Sequence, residues 1–129
     1  MQSSENVIVE GLVGIVREVG DNFSKISLIT EENNNIAFTN IRSQDGGIIN
    51  HTTGSVLEGY MYEFNSDVVA DDRVYTSGLG EVYKPRIYLG KISNVTSDED
   101  DLQKRITIVP AVNFDKLTRV FVITGETNE

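Results

Sequence analysis

Arg73 to Val95 reads RVYTSGLGEVYKPRIYLGKISNV, and this stretch decides the fold class. Val74 and Thr76 alternate with Arg73 and Tyr75, the two-residue period of an extended chain rather than that of a helix. Ser77-Gly78-Leu79-Gly80 then ends the strand, because two glycines in three residues admit backbone angles that other residues avoid. After Pro85 the run Ile87-Tyr88-Leu89-Gly90-Lys91-Ile92 resumes the extended pattern. The stretch also gathers Arg73, Lys84, Arg86 and Lys91 against the single acid Glu81.

The flanking sequence follows the same pattern. Val7-Ile8-Val9 and Leu12 to Val19 are apolar and β-branched, parted by Glu10-Gly11 as a turn or bulge. Gly20-Asp21-Asn22 is turn chemistry. Lys25 to Thr30 alternates, with Ile26 and Leu28 on one face, and Ile36 to Ile41 is the next strand. Asp45-Gly46-Gly47 predicts a tight turn before Ile48-Ile49. Val56 to Phe64 is apolar on both faces and predicts a strand between two layers, followed by a polar crossing over 65–72. Thr96 to Asp101 reads as a charged loop, Ile106 and Ile108 as a strand stopped by Pro110, Asn113 to Leu117 as one helical turn, and Arg119 to Thr124 as a last strand.

About eight short strands with turn signals between them, and no long amphipathic helix, predict an all-β domain over residues 1–129. A small antiparallel β-barrel is the favoured architecture, because closure removes exposed strand edges; a β-sandwich is the alternative. There is also an internal echo. Gly11 to Val19, a loop, and Lys25 to Ile29 resemble Leu89 to Val95, a loop, and Arg105 to Val109, two hairpins each entered through a glycine.

The composition suits a folded domain, with 39% hydrophobic and 24% charged residues. No cysteine is present, so disulfides and thiolate metal sites are excluded. The net charge is −9, carried by residues 1–72 with 12 acids and 3 bases, whereas residues 73–129 hold 8 of each. Such a surface repels phosphate backbones and anionic lipid, which argues against nucleic-acid binding. No apolar run approaches the ~18–20 residues that cross a bilayer, and Met1 to Asn6 lacks the pattern of a signal peptide.

No stretch supplies a convincing reaction centre. His51 is the only histidine, with Ser55 and Ser77 as candidate nucleophiles; they motivate the alternative of a trypsin-like two-barrel hydrolase, but a triad is recognised by geometry. Asp98 to Asp101 does not continue as a calcium loop, since Gln103 and Val109 stand where glycine and glutamate belong. Phosphate-cradling glycine motifs are absent from the sequence, and no catalytic, metal or cofactor residue is assigned. A small-molecule-binding barrel is a further alternative and predicts an enclosed apolar chamber. Tyr75, Tyr83 and Tyr88 among the basic residues Lys84, Arg86 and Lys91 have the composition of a protein interface, where tyrosine and arginine dominate binding.

Three stretches resemble one known family. Gly11-Leu12-Val13-Gly14 through Asn22, Ser24 and Thr30 is similar to the G-L-V-G-x-V-x-x-V-G-x-N-x-S segment of MreC, the cell shape-determining family of bacteria. Asp72 through Thr76-Ser77-Gly78-Leu79-Gly80 to Gly90-Lys91-Ile92 resembles that family's G-D-x-V-x-T-S-G-x-G-G stretch, and Pro110 to Val120 its closing strand. Asp71, Glu81 and Arg86 stand where the family pattern has glycine, so the link around Arg86 is expected to follow a different local path.

The resemblance implies a two-barrel extracytoplasmic β-domain, of which this chain is the C-terminal part. The full-length protein it implies is a single-pass protein of the cell membrane with a membrane helix and a coiled coil. It also implies a non-catalytic scaffold of the elongation and peptidoglycan-synthesis machinery, bound to a class B penicillin-binding protein and linked to MreB, MreD and RodZ. Self-association through an open edge strand is compatible with the pattern.

Overall fold

The computed structural model describes residues 6–8, 11–19, 24–30, 35–79, 83–112 and 121–123. Every regular element among them is a strand: β1 (Asn6–Ile8), β2 (Leu12–Val19), β3 (Ser24–Leu28), β4 (Ile36–Asn40), β5 (Gly46–Thr53), β6 (Val56–Met61), β7 (Arg73–Thr76), β8 (Tyr88–Asp98), β9 (Gln103–Pro110) and β10 (Phe121–Ile123). Six of them close an antiparallel barrel in the order β4-β5-β6-β9-β8-β7, and the others form a four-stranded sheet, β10-β1-β2-β3. The barrel expectation is met.

Alternation explains the barrel. Ile36 and Phe38 of β4, Leu57 and Met61 of β6, Val74 of β7, Leu89 and Ile92 of β8, and Ile106 and Ile108 of β9 point inward and are at most 3% exposed. Each such side chain contributes roughly 1.5–3 kcal/mol by leaving water. Side chains therefore fill the interior, which leaves no room for the enclosed ligand chamber of the binding-barrel alternative. Strand β2 behaves differently, since Gly11 to Val16 are buried without interruption. Its Leu12 and Ile15 join the same core cluster as Phe38 and Leu57, so the sheet and the barrel share one core.

The internal echo extends to the register. In the sheet, Val7 pairs with Gly14 and Ile8 with Leu12, across a bulge. In the barrel, Val74 pairs with Gly90 and Tyr75 with Tyr88, across a bulge at the same place. The next pairs correspond too: Gly14 with Leu28 and Val16 with Ile26, then a shift before Glu18, against Gly90 with Pro110 and Ile92 with Ile108, then a shift before Asn94. Strands β1-β2-β3 thus repeat β7-β8-β9, bulge for bulge.

Several expectations change. Gly46 and Gly47 lie inside β5, and the positive φ of the preceding turn falls on Gln44. Gly47 is there because a Cβ would stand 2.5 Å from the Tyr60 carbonyl oxygen and 2.6 Å from Phe38 Cζ. Strand β6 ends at Met61 and buries one face only, with Val56, Glu58 and Tyr60 half-exposed on the other. Thr96 to Asp98 continue β8 rather than forming a loop, and Pro110 is the last residue of β9. Ile29, beyond the end of β3, is fully buried although Ile26 and Leu28 had marked the apolar face. Gly20 to Asn22, Gly80, Glu81 and Asn113 to Leu117 lie outside the described residues.

Gly47→Ala is expected to destabilise the fold by about 2–3 kcal/mol, since both obstacles are packed groups. Gly54→Ala, at φ +60 with nothing within 4 Å, should cost only about 1 kcal/mol. Equal losses in urea unfolding would contradict this ordering.

Candidate functional site

The outer face of β7 and β8 gathers most of the residues singled out in the sequence. Alternation in β7 turns Val74 and Thr76 inward and leaves Arg73 exposed and Tyr75 half-buried. Across the strands Tyr75 stands opposite Tyr88 and Arg73 opposite Lys91. The two tyrosine rings lie 5.2 Å apart at 46°, within the range of favourable aromatic pairs. Lys91 in turn faces Val109 of β9, which is 48% exposed. Beside this row runs a groove of about 460 Å³, walled by Tyr88, Ile92, Val109, Pro110 and Ala111 and completed by the polar Asp71, Lys91 and Ser93.

Thr76 fixes the link between the two strands. Its buried hydroxyl donates to the Lys84 carbonyl and accepts from the Ile87 N–H, the latter at 2.9 Å. Its backbone N–H donates to the Ile87 carbonyl, and its carbonyl accepts the Arg86 N–H. Gly78, at φ +86, brings the chain against the Pro85 ring, where a Cβ would sit 3.0 Å away. Lys84 and Arg86 are left exposed on this turn.

Tyr83 corrects the interface expectation. It is 6% exposed and belongs to the core cluster, because the link folds inward at that residue. At two of the departures from the family pattern the chain takes positive φ without glycine: Arg86 is at φ +66 and Asp71 at φ +74.

The other motif residues that the structure describes sit in the framework around this face. Gly11 lies where a Cβ would meet the Tyr88 carbonyl at 2.7 Å, so sheet and barrel touch there. Leu12 and Val13 are buried, Gly14 and Ser24 lie in β2 and β3, and Gly90 pairs with Pro110. Asn22 and Gly80 lie outside the described residues. Asn6 is buried, and its Oδ1 accepts the Lys84 N–H at 2.7 Å, a second tie between the sheet and the link.

A polar network just before β7 carries no signal in the sequence. Asp72, 7% exposed, accepts from Asn40 Nδ2 at 2.8 Å, from the Val69 N–H at 3.0 Å, and from Arg42 Nε and Nη2 at 2.8 and 2.9 Å. Arg42 also forks onto Asp67, at 3.0 Å to each carboxylate oxygen. Its hydrogen bonds hold the Asp72 carboxyl well below the usual carboxylate range and lower that of Asp67, while Arg42 is raised in turn. The side-chain pairs Arg42–Asp67, Arg42–Asp72 and Asn40–Asp72 are 25, 30 and 32 positions apart in the chain, and nothing local marks them as a set.

The alternative chemistry is not assembled. His51 is exposed on β5, with Nε2 3.8 Å from Glu58. Ser77 Oγ accepts the Leu79 N–H at 3.3 Å, and Ser55 lies exposed in the β5–β6 turn. Asp98 Oδ1 accepts the N–H groups of Asp100 and Asp101, which makes the acidic run the closing turn of the β8–β9 hairpin. Among the described residues no group of acids and histidine is placed to hold a metal ion.

Comparison with known proteins adds the family. The model of the rod shape-determining protein MreC, barrel core, matches residues 1–124. The cell shape-determining protein MreC of Streptococcus pneumoniae is 30% identical over 116 residues, covering 82% of this chain and 42% of that protein. The chain thus spans less than half the length of that relative. Among solved structures, MreC from Pseudomonas aeruginosa matches with a TM-score of 0.88 at 21% identity, over 95% of this chain and 81% of the other. The major periplasmic domain from the cell shape-determining filament MreC matches at 0.72 and 27% identity, over 87% and 71%. A complex between a penicillin-binding protein and MreC from Helicobacter pylori matches at 0.72 and 16% identity, over 91% and 74%.

Two outcomes follow from the geometry. Asp72 binds its proton more weakly folded than unfolded, so its stabilisation is complete above the ordinary carboxylate range and is lost as pH falls below it. Asp72→Asn is expected to cost about 2–4 kcal/mol near neutral pH and to flatten the acid-side loss; a variant as stable as the parent in urea at neutral pH would show the network to be idle. Arg86→Gly and Asp71→Gly should each stabilise by about 0.5–1 kcal/mol, the left-handed strain less the added chain entropy. A loss of stability on either change would show that the side chain itself holds the turn.

Proposed function

This chain belongs to the MreC family, and from that premise we propose that it is a non-catalytic scaffold of the bacterial cell-elongation machinery, binding a class B penicillin-binding protein outside the membrane. The observation that carries the reading is the outer face of β7 and β8: a paired Tyr75 and Tyr88 beside unneutralised cations and an apolar groove, on a barrel whose interior is filled. A rigid face of this composition suits recognition of a protein surface. The described part of the chain contributes side chains to other proteins rather than a cavity to a substrate.

The structural match to a penicillin-binding protein complex with MreC supports the choice of partner. In this proposal the membrane helix, the coiled coil and the links to MreB, MreD and RodZ belong to the longer protein of which the chain is a part; among the described residues no helix is long and apolar enough to cross a membrane. Lys84 and Arg86 on the link, and Lys91 on β8, are the exposed residues placed to meet the partner.

Reversing the charge at Lys84, Arg86 and Lys91 together is expected to weaken binding to the soluble domain of a penicillin-binding protein by about tenfold or more. The measurement is a titration of purified domains, with circular dichroism to show that the triple variant is folded. Unchanged affinity in a folded variant overturns this placement of the interface.

A further inference from the structure

The repeat relates this face to a second one within the chain. By register, Asn6, Leu12 and Ile15 of β1 and β2 correspond to Arg73, Tyr88 and Lys91 of β7 and β8. The inward positions match in kind: Val13 and Val16 correspond to Leu89 and Ile92, and all four are at most 1% exposed. The outward positions do not. Asn6, Leu12 and Ile15 are at most 1% exposed, and Leu12 and Ile15 are covered by the shared core. Arg73 and Lys91 stand in the open. The same face of the same motif is packed over in one copy and bare in the other.

The bare copy carries the charge that says what would cover it. Arg73 and Lys91 are directly opposite in an antiparallel pair, an arrangement that costs stability when nothing lies between them. Neither makes an ion pair among the described residues. The groove next to them is apolar, and its wall residue Val109 is the third member of their cross-strand row. The barrel is closed, so β7 and β8 offer no free backbone edge for strand addition. Recognition here must run through side chains.

We propose that this face is a docking site for an extended acidic segment of a partner protein, which sets a carboxylate between Arg73 and Lys91 and an apolar side chain in the groove against Val109 and Pro110. This rests on the reading of the β7–β8 face as a partner surface, and it adds the chemistry of what binds there. Asp71 lines the groove and makes no ion pair with either cation, so it opposes an acidic ligand and sets a ceiling on affinity. The overall acidity of the chain acts the same way at long range, so an acidic segment is held only where cations gather, as they do on this face.

The test uses the whole chain and two fluorescent probe peptides, one with leucines between glutamates and a second with every glutamate replaced by glutamine. The acidic probe is expected to bind, to lose about fivefold or more in affinity between low and high salt, and to lose it again in Arg73→Glu/Lys91→Glu. Asp71→Asn should tighten it about two- to threefold, since asparagine accepts the left-handed backbone. Equal binding of the two probes, or binding indifferent to Arg73→Glu/Lys91→Glu, overturns the proposal. The penicillin-binding protein domain separates the two readings. If Lys84 and Arg86 reversal weakens that complex while Arg73→Glu/Lys91→Glu does not, the acidic-segment inference fails and the interface stands; if no reversal has an effect, both fail.

Discussion

The barrel closes through the pairing of β4 with β7. Phe38, Thr39 and Asn40 meet Thr76, Tyr75 and Val74, and the Ile41 and Ser77 N–H groups extend the seam by donating to the Arg73 and Ala37 carbonyls. Strand β7 has four residues, too few to hold itself in place by apolar burial, and Val74 is its one fully buried hydrophobic side chain. It is held instead by a buried polar residue at each end. Asp72 precedes it, bound to Asn40 of β4 and to Arg42, and Thr76 ends it, bound through its hydroxyl to the link that returns as β8.

This arrangement explains why polar groups are buried at a seam where apolar ones would cost less to desolvate. A hydrophobic residue at either position could slide by a register step; a carboxylate that must satisfy Asn40, Arg42 and the Val69 N–H at once cannot. Thr76 likewise sets where Lys84 and Ile87 lie, and through them the turn that carries Arg86. The partner face inherits its geometry from these two anchors. Arg73 and Tyr75 point outward because Val74 and Thr76 are fixed inward.

Much of this was legible in the sequence. The alternation of β7 and β9, the strand at Ile36, the apolar start of β2 and the echo between the two hairpins are local patterns, and each survives in the structure. What failed depended on partners distant in the chain. Gly46-Gly47 has the composition of a turn, and only the approach of Tyr60 and Phe38 shows why glycine is needed inside a strand. Tyr83 sits among basic residues in sequence, yet the link folds it into the core. Arg42 and Asp72 carry no mark of each other. The positive φ of Asp71 and Arg86 had no direct mark either; those residues were visible only as substitutions for glycine in the family pattern.

The repeated β-unit shows how one backbone pattern serves two ends. Both copies set a glycine between two bulges, Gly14 in one and Gly90 in the other, and both place apolar residues on the inward face. Those positions answer to packing inside the unit, so they are alike: Val13 and Val16 against Leu89 and Ile92. The outward positions answer to whatever lies above them. In β2 that is the common core, and Leu12 and Ile15 suit it; in β8 the same positions are Tyr88 and Lys91, one amphipathic and one charged. A lysine in place of Ile15 would be buried without a counter-charge, a cost of several kcal/mol. An isoleucine in place of Lys91 would leave, with Val109 and Tyr88, an apolar patch open to water. The two copies are therefore not interchangeable, and the difference lies on a face where the barrel meets its surroundings.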